Sequence, residues 1–174
     1  MRRAIASFVF LLPVVLSAGG GGTVTAKGHR FTAEVAVTSA EREQGLMGRH
    51  ELASDRCMIF LYAEDGPHPI WMKNCFISLD VAWTDKDGKV VELVPDVPPP
   101  SPVAVYASDA DYPNFGGKVD SRHFIEFPQG TFKRLGLKVG DRIGWDLKLD
   151  DGTLVKGGAM EAVKPVKSAK PKRK

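Results

Sequence analysis

The chain is poor in the residue types from which metal and nucleophile sites are built. Its four histidines, His29, His50, His68 and His123, are scattered without metal-ligand spacing, and neither of its two cysteines, Cys57 and Cys75, belongs to a C-x-x-C motif. No G-x-S-x-G, H-E-x-x-H or glycine-rich phosphate loop occurs. A metal centre, a dithiol redox enzyme and a bound cofactor are therefore not expected. There is no internal repeat, and the apolar run from Ala4 to Leu16 is shorter than a membrane span requires.

That run follows Arg2-Arg3 and precedes the small residues Ser17 to Gly22, which is the layout of a secretory signal peptide. Without a lipid-attachment cysteine or a twin-arginine pattern, the general secretory route is expected, and with it a periplasmic or secreted location; an uncleaved N-terminal anchor is the alternative. At the other end, residues 161–174 hold six basic residues, two prolines and almost nothing to bury, the composition of a disordered tail. Setting aside the two N-terminal arginines and the six basic residues from Lys164 onward turns the formal +3 into −5 for residues 4–163. Specific nucleic-acid binding is therefore not expected, whereas the tail suits anionic envelope surfaces. Residues 1–22 are read as signal peptide and glycine-rich junction, and 23–160 as one domain.

Within that domain His29 to Val37 alternates as a half-buried strand. Thr38 and Glu41 form a capping-box pattern before a helix from about Ser39 to Met47, interrupted by Gly45, which calls for close packing at that turn. Cys57 to Tyr62 is apolar on both faces, as in a strand of a closed or covered sheet. A strand is expected from Ile70 through Trp83, and Asp87-Gly88 predicts a hairpin that sets Val81 opposite Val94 and Trp83 opposite Glu92. Pro95 to Pro102 reads as a stiff connector, Val103 to Ala107 as a short strand, and Ser108 to Ser121 as an irregular excursion. Phe124 to Phe127, Arg142 to Leu149 and Thr153 to Lys156 read as strands, with two helical turns between Gln129 and Leu135. The fold class is mostly β (a β-rich α+β domain): a small barrel or tightly curled antiparallel or mixed sheet with one or two short helices.

The stretch from Cys57 to Trp83 holds both cysteines and two of the three tryptophans. A hairpin in which Tyr62 faces Ile70 brings Cys57 opposite Cys75, within disulfide range in an exported protein, a bond worth about 3 kcal/mol. Strand alternation from Ile70 puts Trp71 and Lys73 on one face, with Lys73 either snorkelling outward or desolvated with a lowered pKa. Asn74, Ser78 and Asp80 fall on the other face, where Asp80 either joins a shallow polar site or hydrogen-bonds nearby backbone.

Gly45-Leu46-Met47-x-Arg49, Cys57-Met58-Ile59-Phe60, Trp71-Met72-Lys73-Asn74, Leu79-Asp80, Gly88-Lys89-Val90-Val91, Tyr106-x-Ser108, Glu126-x-Pro128-x-Gly130 and Gly140-Asp141 occur in an order that resembles the DUF 192 family, from about Phe31 to Leu147. The resemblance implies a compact β-rich domain, often exported in bacteria, and no catalytic residue set. Cys57 and Cys75 stand where the family commonly shows glycine and threonine, so a disulfide would be a variation on the family. The segments Asp96 to Pro102 and Asp109 to His123 are longer than its usual loops.

The leading reading is a binding or accessory module in which Arg49, Trp71, Lys73, Asn74 and Asp80 meet a small polar or anionic ligand such as a glycan. The alternatives are an enzyme that uses Lys73 or Asp80 as acid or base, and an envelope scaffold acting through loops and tail. Oligomeric state is not legible.

Overall fold

A computed structural model describes residues 19–158. The expected signal peptide and basic tail lie almost wholly outside them. The described residues form eight strands, β1 (Gly20–Ala26), β2 (His29–Ala36), β3 (Arg56–Gly66), β4 (Leu79–Thr84), β5 (Val90–Val97), β6 (Ser121–Pro128), β7 (Ile143–Leu149) and β8 (Leu154–Gly157), and two short α-helices, α1 (Ser39–Gln44) and α2 (Thr131–Leu135). The strands make one mixed sheet in the order β5-β4-β6-β3-β2-β1-β7-β8, in which β2 and β3 are parallel and every other pair is antiparallel.

The sheet curls without closing into a continuous barrel. The turn of the β4–β5 hairpin reaches the start of β7, where Ile143 N–H donates to the Gly88 carbonyl at 2.8 Å and Val90 N–H to that of Asp141 at 2.8 Å. Between these points the edges β5 and β8 stay unpaired with each other. Inside the curl lies a core drawn from β1 through β7, including Phe31, Cys57, Ile59, Ile125, Phe127 and Trp145. A second apolar cluster covers the outside of β3, β4 and β6 with Phe60, Phe124, Leu79 and Trp83, roofed by Leu46, Ile70, Met72 and Cys75 from loops. Both faces of the central strands are thus buried, which is why Cys57 to Leu61 is apolar without alternation.

Several expectations hold. Val81 pairs with Val94 and Trp83 with Glu92. The capping box is complete: the Thr38 hydroxyl accepts from the Glu41 amide, and the Glu41 carboxylate accepts from the Thr38 amide at 2.8 Å. Gly45 is the C-cap of α1 rather than a weak point inside it, with φ of 40° and with Phe60 3.3 Å from where a Cβ would stand.

Three expectations do not. Gly20–Gly22, assigned to the junction, are instead the start of β1, paired with both β2 and β7; a Cβ on Gly22 would stand 2.3 Å from the Asp146 carbonyl oxygen, so glycine is what lets the strands approach. Val103 to Ala107 forms no strand, and Val103 and Val105 are exposed. Finally, the strand expected from Ile70 begins only at Leu79. Ile70 makes a single bridge to Phe115, and Trp71 to Cys75 is a turn in which Cys75 N–H donates to the Met72 carbonyl and Asn74 takes φ of 54°.

Candidate functional site

The failure of that strand removes the proposed disulfide. Tyr62 and Ile70 do not form a hairpin, because β3 is already taken on both sides by β2 and β6, with Cys57 paired to Ala33. Both cysteines are free and buried, Cys57 in the inner core and Cys75 in the outer cluster, so the sheet lies between them. Burial pushes the Cys75 thiol up to about 11 and raises that of Cys57 further. Iodoacetamide at pH 8 is therefore expected to label neither cysteine in the native protein and both in urea, with intact mass unchanged by reductant; rapid native labelling of Cys57 would contradict its place in the core.

The motifs Gly45-Leu46-Met47-x-Arg49 and Trp71-Met72-Lys73-Asn74 do meet. Gly48 N–H donates to the Asn74 carbonyl at 2.7 Å and Phe76 N–H to that of Arg49 at 3.2 Å, so the turn after α1 and the Trp71–Cys75 turn form a joint roof over the outer face of β3 and β6. Beneath the roof lies a cavity of about 80 Å³. Its walls are Arg42 to Met47 and Pro69 to Lys73 with Cys75 of the roof, and its floor is Phe60, Tyr62, Leu79, Phe124 and Glu126.

Glu126 is the unusual member. Strand alternation on β6 sends Ile125 and Phe127 into the inner core and Phe124 and Glu126 to the outer face. Glu126 is 6 % exposed, and its Oε2 has no hydrogen-bond partner. Desolvation pushes its carboxyl up to about 8, so at neutral pH it is largely protonated and holds an O–H donor. Around the same cavity Arg42 is fixed by the carbonyls of Val37 and Leu61 and lies 4.5 Å over the Tyr62 ring. Lys73 pairs with Asp109 at 2.6 Å and sits 5.1 Å from the Trp71 ring centre.

Among the residues expected at a site, only Trp71 and Lys73 line this cavity. Lys73 is the snorkelling kind: its hydrogen bond to Asp109 raises its pKa, the opposite of a desolvated base. Arg49 is turned to Glu34, which also receives Arg56 at 3.3 Å. Asn74 is exposed and serves through its backbone. Asp80 is 1 % exposed and points to the other side of the sheet, where its carboxyl accepts from the amides of Asp96 at 3.0 Å and Phe132 at 2.8 Å; it is a backbone clamp. Sequence reasoning missed Glu126, Arg42 and Tyr62. The signal available for Glu126 was a lone acid within Phe124-Ile-Glu-Phe127, a run whose alternation offers no exposed face. Among the described residues no group of three or more His, Cys, Asp or Glu is arranged to hold a metal.

Fold and cavity together define a curled β-sheet domain with a loop-roofed pocket on its outer face. The chain belongs to the DUF192 family, whose model, described as "Uncharacterized ACR", matches residues 22–145. It is similar to the crystal structure of a candidate transcription regulator from Sinorhizobium meliloti, with 29% identity, a TM-score of 0.61, and coverage of 72% of this chain and 92% of that one. It is also similar to a protein of unknown function from Novosphingobium aromaticivorans, with 31% identity, a TM-score of 0.60, and coverage of 72% and 84%. No curated protein matches the chain.

Proposed function

We propose that this protein is a small-ligand-binding module of the bacterial envelope, and that its pocket takes an oxygen-rich head group beside Glu126. The observation that carries this reading is a buried carboxyl oxygen without a partner on the floor of a cavity. Leaving such a group unpaired costs about 1–3 kcal/mol, a cost that a ligand acceptor would relieve. The protonated acid is a donor, and Arg42 and Lys73 make the surroundings favourable for a carboxylate, carbonyl or sugar oxygen. An enzyme built on Lys73 and Asp80 gains no support from a geometry in which the cavity holds the one and not the other.

The expected location is the periplasm, supported by the arginine pair and apolar run at the N-terminus, with the basic tail available to anionic envelope surfaces. The charge of −5 on residues 4–163 weighs against nucleic acid as a partner.

The test is a thermal-shift screen of organic acids and sugars at pH 7 against the wild type, Glu126→Leu and Lys73→Ala. Leucine replaces the acid at similar volume and removes the donor without opening a void. A ligand is expected that raises the wild-type melting temperature, loses that effect in Glu126→Leu and is weakened in Lys73→Ala. A ligand indifferent to both changes, or none across the panel, would overturn the proposal.

A further inference from the structure

A second cavity, of about 390 Å³, lies next to the first. Apart from Ser101 its lining is apolar or aromatic, chiefly Pro98 to Pro100, Tyr106, Tyr112, Phe115 and Met72. Met72 is the one residue that lines both cavities, and it is itself buried, at 2 % exposure. The walls are joined across it. Trp71 of the first cavity meets Tyr112 of the second edge to face at 6.3 Å, and Lys73 is paired with Asp109 of the loop that carries Tyr106 and Tyr112. Those two tyrosines stack at 4.1 Å with an interplanar angle of 13°, which gives the second cavity a flat aromatic wall opposite a strap of three prolines.

We propose that the two cavities are the halves of one site for an amphiphilic acid, its carboxylate held beside Glu126 and its aryl or similarly apolar tail held between the proline strap and Tyr112. The inference rests on the preceding reading of the Glu126 pocket and names its ligand class. Size supports the division: an apolar cavity of about 150 Å³ holds benzene, so the smaller cavity takes a head group alone and the larger takes a ring with room to spare. Met72 suits a partition between them, because an unbranched thioether with three rotatable bonds shifts at little cost. Prolines suit the outer wall, because their fixed φ leaves little backbone freedom to lose on binding. The carboxylate head follows from the surroundings of the first cavity, where Arg42 and Lys73 line the same space as Glu126 and Glu43 is the one further acid in the lining.

The experiment is a titration of the protein at pH 7 with acetate and with 3-phenylpropanoate, 4-phenylbutanoate and 5-phenylpentanoate, followed by NMR. At least one aryl acid is expected to bind about tenfold tighter than acetate or better. Tyr112→Ala should remove that gain and leave acetate binding unchanged, Glu126→Leu should abolish binding of both, and benzyl alcohol should compete with the aryl acid but not with acetate. The benzyl alcohol competition keeps the test independent of how well Tyr112→Ala folds. Aryl acids that bind no tighter than acetate would overturn the two-part site and leave the binding module intact. Aryl binding that survives Glu126→Leu would mean two unconnected sites and overturn it as well. No binding of any acid would overturn this proposal, and the reading of the Glu126 pocket would then stand or fall on the sugars of the thermal-shift screen.

Discussion

Glu126→Gln is expected to make the protein more stable, and increasingly so as pH rises from about 5 to 8. The carboxyl titrates near 4.5 in the unfolded chain and at about 8 in the folded one. Between these values the folded state holds a proton that the unfolded state has lost, so the stability that depends on it is fully present below about 4.5 and gone above about 8. The slope is about −1.4 kcal/mol per pH unit, on the order of 5 kcal/mol across the window. His123 acts with the opposite sign. Burial lowers it from 6.5 to about 4, in keeping with its Nδ1 accepting from the Tyr62 amide, so its contribution is present above 6.5 and lost as pH falls through 4. His68, also lowered by burial, works in the same direction as His123. The wild type should therefore be nearly level between about 4.5 and 6.5 and fall from there to 8. The glutamine variant should rise to 6.5 and then stay level. Urea denaturation at half-unit pH steps reads both curves, and curves that run parallel from pH 5 to 8 would show that Glu126 is not a protonated buried acid. A residue that lowers stability by this much where leucine or glutamine would fit is retained for something other than folding.

The parts of this fold that were legible in the sequence are those set by neighbours along the chain. The Asp87-Gly88 hairpin fixed the Val81 and Trp83 pairings, and Thr38 with Glu41 fixed the start of α1, because both signals act within a few residues. The Trp71–Cys75 turn was not legible, because apolar alternation also describes a loop that is buried by roofing a sheet. Its actual shape depends on Asn74 at positive φ and on the Gly48 contact, both set by packing against a segment 26 residues earlier. The same misreading grouped Asp80 with Asn74 and Ser78, since alternation carried through a nonexistent strand assigns faces that the chain never adopts. Glu126, named only as part of a family motif, was not placed at the site for a complementary reason. An acid in a strand is ordinarily solvent-facing, and only the covering of the second face by α1 and the loops makes this one buried.

Asp80→Ala is expected to cost about 3–5 kcal/mol, since it orphans one buried and one part-buried amide donor bonded to a carboxyl group. The first donor belongs to a bulge. Between the pairs Leu79–Val97 and Val81–Val94 the edge strand β5 carries one residue too many, and Asp96, at φ of 54°, turns its N–H to Asp80 Oδ1. The second belongs to α2, whose N-cap is Gly130 and therefore offers no side-chain oxygen; Asp80 Oδ2 receives the Phe132 amide in its place. A helix of five residues has no stability of its own, so without this contact α2 should loosen and take Phe132 out of the inner core. Asp80→Asn keeps an acceptor for only one of the two amides and should fall between the alanine variant and the wild type. Because Asp80 faces away from the Glu126 cavity, any ligand of that cavity should bind both variants with unchanged affinity while they remain folded. Urea denaturation measures the first effect and the ligand titration the second. An alanine variant within about 1 kcal/mol of wild type would rule out the clamp, and an intact fold with binding lost would return Asp80 to the ligand site.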